Sequence, residues 1–136
     1  SIVTSRRFDA FKLFLSLKTV GISLFSEMID ATFYLAQETA NYLSQQPNIN
    51  VENKNPELNT VIFRFEPQNP SGDVCKLNRK IQQEMLYESK AAIAKTSVNG
   101  RTYLKFTMLN PRTKMEHIYE IVKEIQTLGW KWSDHT

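Results

Sequence analysis

The chain has 136 residues, 41% hydrophobic and 23% charged, the size and balance of one ordinary globular domain. Its 17 Lys and Arg against 14 Asp and Glu leave a net charge of +3. That charge is scattered along the chain and lacks the dense basic footprint of a nucleic-acid binder. A single cysteine excludes an internal disulfide and fits a reducing compartment, so a cytoplasmic location is expected, and no uncharged apolar run reaches the about 18 residues of a membrane span.

The first four residues, Ser1 to Thr4, read as the end of an extended segment, with Ser5 capping a helix over Arg7 to Thr19. Phe8, Phe11, Leu13, Phe14, Leu15 and Leu17 cover most of that helix's circumference. A helix apolar nearly all round needs burial on several sides, so this stretch is expected to pack on further chain or on a partner. Gly21 breaks the helix and Ser23 reads as the N-cap of the next, Leu24 to Gln46. There Phe25, Met28, Ile29, Thr32, Ala36, Thr39, Ala40 and Leu43 keep the helical period, and Pro47 ends it.

Ile49 to Asn53 is a short strand candidate, and Thr60 to Glu66 alternates, with Val61, Phe63 and Phe65 on one side and Ile62, Arg64 and Glu66 on the other. After the loop-like Pro67 to Gly72, Asp73 reads as the cap of a helix to Ser89, with Val74, Leu77, Ile81 and Met85 inward. Asn99-Gly100 between two strand-like runs signals a two-residue hairpin turn. That turn pairs Val98 with Arg101, Thr96 with Tyr103, Ala94 with Lys105 and Ile93 with Phe106. Leu104, Phe106 and Met108 then face the core, and Tyr103, Lys105 and Thr107 face away. Thr113 and Glu116 have the spacing of a capping box. Met115, Ile118, Val122 and Ile125 form the inner stripe of the helix that follows. Gly129 reads as its C-terminal stop, and Trp130 to Thr136 as a tail packed on the domain. The order α-α-β-β-α-β-β-α predicts an α+β fold: an antiparallel sheet with helices on one face.

Chemistry is sparse in this string. There is no glycine-rich phosphate loop, and His117 and His135, with one cysteine and no His-Glu-x-x-His, do not make a metal site. No catalytic residue and no metal are expected. Cys75, on an amphipathic helix with no His nearby in sequence, reads as a packing residue. Asp30 reads as solvent-facing, and Asp9 and Glu27 share no arguable face. Lys105 is the one charge of interest. It lies mid-strand, flanked by Tyr103 and Thr107, where an ammonium among hydroxyls suits an anion such as a carboxylate; a solvated strand face is the plainer reading.

The stretch TSRRFDAFKLFLSLKTVG, with Arg6, Arg7, Phe11, Lys12, Leu13, Phe14 and Gly21, resembles the segment joining the large and small domains of group II pyridoxal-phosphate-dependent amino-acid decarboxylases. Leu104-Lys105-Phe106, then Asn110-Pro111 and a final helix from Thr113, resembles the end of the same family. The likeness covers essentially the whole chain. It implies the C-terminal small domain of the type I aminotransferase fold, with residues 1–22 as the tail of the large domain plus a linking helix, and 23–136 as the small domain. It also implies a missing N-terminal large domain, a homodimer, and pyridoxal phosphate in the parent enzyme. None of that cofactor is expected to be held covalently here, because the family's His-Lys Schiff-base pair does not occur in the sequence. By the same resemblance, Thr4 and Ser5 approach the cofactor phosphate of the neighbouring subunit. Lys105 stands where the family usually has an Arg near the substrate; Lys keeps the charge without the bidentate fork. Within the family, YLKFTMLNPRT looks most like the L-2,4-diaminobutyrate decarboxylases, with glutamate decarboxylases next and aromatic-amino-acid decarboxylases more distant. A non-catalytic module that binds a partner through its apolar first helix is the alternative.

Overall fold

Asn99 adopts φ 52° and Gly100 φ 78°, the left-handed pair that a type I′ turn requires. In the computed structural model this turn joins β3 (Ile93–Val98) to β4 (Arg101–Thr107). The expected register is met at every pair, from Val98 opposite Arg101 to Ile93 opposite Phe106. The structure describes residues 2–54, 56, 58–87, 93–108 and 110–133, without the side chains of 2–20, 86 and 87.

Two further strands, β1 (Ile49–Val51) and β2 (Thr60–Phe65), complete an antiparallel sheet of order β1-β2-β4-β3. The alternation of each strand sends Val51, Val61, Phe63, Phe65, Ile93, Leu104, Phe106 and Met108 to one face, and all are buried in a single cluster. The same cluster takes Ala36, Ala40 and Leu43 from α1 (Ile2–Ser44), Leu77, Ile81 and Met85 from α2 (Val74–Tyr87), and Ile118, Val122 and Ile125 from α3 (Met115–Trp132). The helices therefore share one face of the sheet, which is the α+β layering expected from the element order.

Several local readings are corrected. Residues 2–4 are helical, not extended, and Ser5 lies inside α1 rather than capping it. The β-branched Ile2, Val3 and Thr4 each cost a helix only about 0.5 kcal/mol, too little to hold it off. The break at Gly21 is present, at φ 86° and ψ 169°. The second arm resumes at once, so Ser23 is within it. That arm ends at Ser44, and Asn48 turns the chain at φ 64°.

Asp73 caps α2 as expected, accepting from the Cys75 amide at 2.9 Å and the Lys76 amide at 3.4 Å. The expected end at Ser89 lies outside the described residues. The Thr113–Glu116 box does not form: Lys114 is the N-cap of α3, without a side-chain bond, and the Thr113 amide is spent in a turn on the Asn110 carbonyl at 3.1 Å. Gly129 does not stop α3, which runs on through Trp130 to Trp132. A Cβ at Gly129 would stand 2.7 Å from the Phe65 ring, so this glycine lets helix and strand approach rather than ending the helix. His135, in the predicted tail, lies outside the described residues.

Candidate functional site

The face of the sheet opposite the core carries Lys105. Strand alternation puts it there with Tyr103 and Thr107, and the register sets it between Ile62 of β2 and Ala94 of β3. Lys105 is partly exposed, and among the described residues it has no ion-pair partner. Thr60 and Thr107 face each other across the strands, with hydroxyl oxygens 3.4 Å apart. The result is an ammonium at the middle of a sheet face, beside hydroxyls and a tyrosine. It can meet one anionic oxygen as a point charge, without the paired donors of a guanidinium.

Arg64 shares this face and is 4% exposed, a burial that alternation alone does not reveal. Its guanidinium lies 5.3 Å from the Tyr103 ring centroid and its Nη2 is 3.6 Å from Cys75 Sγ. The contact follows from a split in the sheet. Extending the β2–β4 register by two residues would set Phe65 opposite Thr102, but α2 takes those groups instead. Asn78 accepts from the Phe65 amide at 2.8 Å and donates to the Phe65 carbonyl at 2.9 Å. Cys75 Sγ accepts from the Thr102 amide at 3.4 Å. That amide, with the Arg64 charge adding to it, draws the Cys75 thiol below its ordinary pKa, against the opposing effect of burial.

Of the family-implied site residues, Thr4 and Ser5 have backbone in the first turns of α1, and their side chains lie outside the description. The Tyr103, Lys105 and Thr107 grouping was readable from alternation; the Arg64–Cys75 contact had no signal beyond an Arg in a strand. His117 is exposed, and among the described residues no three His, Cys, Asp or Glu side chains gather as metal ligands.

Comparisons with known proteins bear on this geometry. No family model matches. The chain is 29% identical over 126 residues to L-2,4-diaminobutyrate decarboxylase of Acinetobacter baumannii, covering 92% of this chain and 24% of that protein. It is 28% identical over 130 residues to aromatic-L-amino-acid decarboxylase of Bacillus atrophaeus, covering 94% and 27%. Among solved structures, the glutamate decarboxylase domain of diaminobutyrate-pyruvate transaminase and L-2,4-diaminobutyrate decarboxylase from Vibrio parahaemolyticus superposes with a TM-score of 0.77 at 29% identity, over 91% of this chain and 26% of that one. Catharanthus roseus tryptophan decarboxylase has the same fold, with a TM-score of 0.72 at 20% identity over 88% of this chain and 26% of that one.

The matching proteins are group II pyridoxal-phosphate-dependent amino-acid decarboxylases, as the sequence motifs implied, and the fold is the one these enzymes share. The chain spans about a quarter of the length of these relatives. Of the relatives named above, the two of the diaminobutyrate branch are both 29% identical to this chain, and the two of the aromatic branch are 28% and 20% identical. Pyridoxal phosphate is the cofactor of these enzymes, and the structure of Oryza sativa TDC contains it with tryptamine. The residues described in this chain do not by themselves form a cradle for it. Lys105 follows Leu104 rather than a His, and it stands partly exposed on the sheet face opposite the core.

Proposed function

We propose that this chain is the C-terminal small domain of a pyridoxal-phosphate-dependent L-amino-acid decarboxylase, of the L-2,4-diaminobutyrate branch, with glutamate as the next substrate to consider. The carrying observation is the match to the Vibrio parahaemolyticus domain over nine tenths of the chain, at 29% identity and a TM-score of 0.77. On this reading residues 1–22 are the tail of a large domain and a linking helix, and residues 23–136 are the small domain. The large domain precedes it, holds the cofactor, and the enzyme works as a cytoplasmic homodimer. The cofactor supplies the electron sink for loss of the α-carboxylate as CO2. This chain's part is to shape the substrate mouth and support the dimer. Lys105 offers its ammonium to a substrate carboxylate, and Thr4 and Ser5 approach the neighbouring subunit's cofactor phosphate.

The test is CO2 release by the protein of the full reading frame, with pyridoxal phosphate added, from diaminobutyrate, glutamate and an aromatic amino acid. Release from diaminobutyrate is the expected result. A folded protein that releases CO2 from none of them overturns the reading.

One observation favours a second reading, a partner-binding module. Ile22 is 75% exposed and Tyr34 62% exposed, with Leu24 and Ile29 also open, along the arm that follows Gly21. On the decarboxylase reading, that arm is covered by the rest of the enzyme.

A further inference from the structure

The split between β2 and β4 holds a thiol and a buried cation that the proposed function does not use. Cys75 is partly exposed in the first turn of α2, and its Sγ faces the Thr102 amide and Arg64 Nη2. Other charged groups around it are known. Asp73 caps the same turn and accepts from the Cys75 amide itself, Lys76 is exposed, and Arg79 is engaged on the Thr102 hydroxyl at 3.2 Å. Across the sheet, Arg64 is backed by the Tyr103 ring, and among the described residues no carboxylate pairs with it.

Arg64 supplies a second, independent observation. It is 4% exposed and its Nε is buried with no hydrogen-bond partner. In a guanidinium, Nε–H and one Nη2–H lie parallel on one edge, the edge that grips two oxygens of an oxyanion. Here Nη2 meets a sulfur and the neighbouring Nε–H meets nothing. A packing thiol explains the bond from Thr102, but it leaves half of the Arg64 edge unfilled. A sulfur that carries an oxygen fills both halves.

We propose that Cys75 is an oxidative modification site, at which a hydroperoxide converts the thiolate to a sulfenate held by the Nε and Nη2 edge of Arg64. The thiolate sulfur attacks one peroxide oxygen, the S–O bond forms and the O–O bond breaks. Sulfur gives up two electrons, and the second oxygen leaves as water or alcohol, carrying the hydroperoxide's own proton. The oxyanion so formed rests on the Nε and Nη2 edge of Arg64.

The experiment uses the native protein with all the sequence that adjoins this chain. Iodoacetamide alkylation of Cys75 is followed by peptide mass against pH, in the folded protein and in the same protein unfolded in urea. Separately, one equivalent of hydrogen peroxide is added and the sulfenate is trapped with dimedone after increasing delays. The expected results are a midpoint shifted below that of the unfolded chain and a dimedone adduct on Cys75. Arg64→Lys, which keeps the charge and loses the fork, is expected to keep the lowered midpoint and to lose the adduct after long delays. A midpoint equal to or above the unfolded one, no adduct on Cys75, or an unchanged adduct lifetime in a folded Arg64→Lys protein overturns the proposal. If Arg64→Lys does not fold, the comparison within the native protein decides it.

Discussion

Replacing Gly129 by alanine pits two effects of known sign against each other. In an open helix the change stabilises, because glycine is about 0.8–1.0 kcal/mol worse than alanine in a helix interior. At this position the new methyl would stand 2.7 Å from three atoms of the Phe65 ring, Cγ, Cδ1 and Cε1. Phe65 is fully buried and its ring packs edge-on against Trp130, with centroids 5.4 Å apart and planes at 87°. The ring has no free space to swing into, so α3 must lift away from β2 or the ring must leave its rotamer. Overpacking of this kind costs about 1–3 kcal/mol, and subtracting the propensity gain leaves a net change between about zero and a loss of about 2 kcal/mol, where an open helix would show a gain. Urea unfolding of the wild type and Gly129→Ala, followed by circular dichroism with equal m-values required, measures it. A Gly129→Ala protein more stable than the wild type by the full helix-propensity gain of about 0.8–1.0 kcal/mol refutes the reasoning.

Asn78→Ala removes two bonds to Phe65 and one to the Val74 carbonyl at 2.8 Å. Orphaning these buried groups is expected to cost about 3 kcal/mol in the same assay. The lowered thiol pKa of Cys75 makes stability depend on pH with a definite sign. The folded chain loses this proton at lower pH than the unfolded chain, so its contribution is full above the ordinary thiol pKa and fades as pH falls through the lowered one. Urea midpoints of the wild type relative to Cys75→Ser are therefore expected to rise through that window, and a flat difference counts against the thiolate. Lys105→Met in the full-length enzyme is expected to leave folding intact, because the side chain is partly exposed and without an ion-pair partner among the described residues. Loss of a charged hydrogen bond of about 1.5–3 kcal/mol corresponds to about ten- to hundredfold in kcat/KM. Unchanged kcat/KM excludes Lys105 from substrate contact.

Elements whose cause is local were legible in the sequence. The hairpin register follows from Asn99-Gly100, because a two-residue turn leaves only one pairing. The inward stripes of α2 and α3 follow from the helical period, except that Val74 at the start of α2 is partly exposed and outside the core cluster, and the break in α1 follows from Gly21. What failed was decided by groups outside each motif. Gly129 has the local look of a helix stop, but Phe65, 64 residues earlier in the chain, sets its use. The capping box missed by one residue because the Thr113 amide was already engaged with Asn110. Arg64 sat on the side expected to be open, and alternation names a face without saying what covers it.

These misses bear on how the sheet face opposite the core handles charge. Two cations, Arg64 and Lys105, stand near its middle, and only Lys105 stands out in the sequence as a partner for a carboxylate. The structure separates them: Arg64 is packed beside Tyr103 and turned toward the split where α2 enters the sheet, while Lys105 stays partly exposed between Ile62 and Ala94. The fork that would fix the orientation of a carboxylate is thus directed at Cys75, and a single rotatable ammonium is left to the face. A carboxylate meeting Lys105 gains charge but little orientation. Neighbouring groups such as the Thr60 and Thr107 hydroxyls, 3.4 Å apart on the same face, would have to supply the second contact. Under the proposed function, Lys105→Arg is therefore the more informative partner of Lys105→Met. If charge alone matters, Arg retains kcat/KM. If the compact ammonium and the hydroxyl pair act together, the broader guanidinium displaces the substrate from the hydroxyls, and kcat/KM falls although the charge is kept.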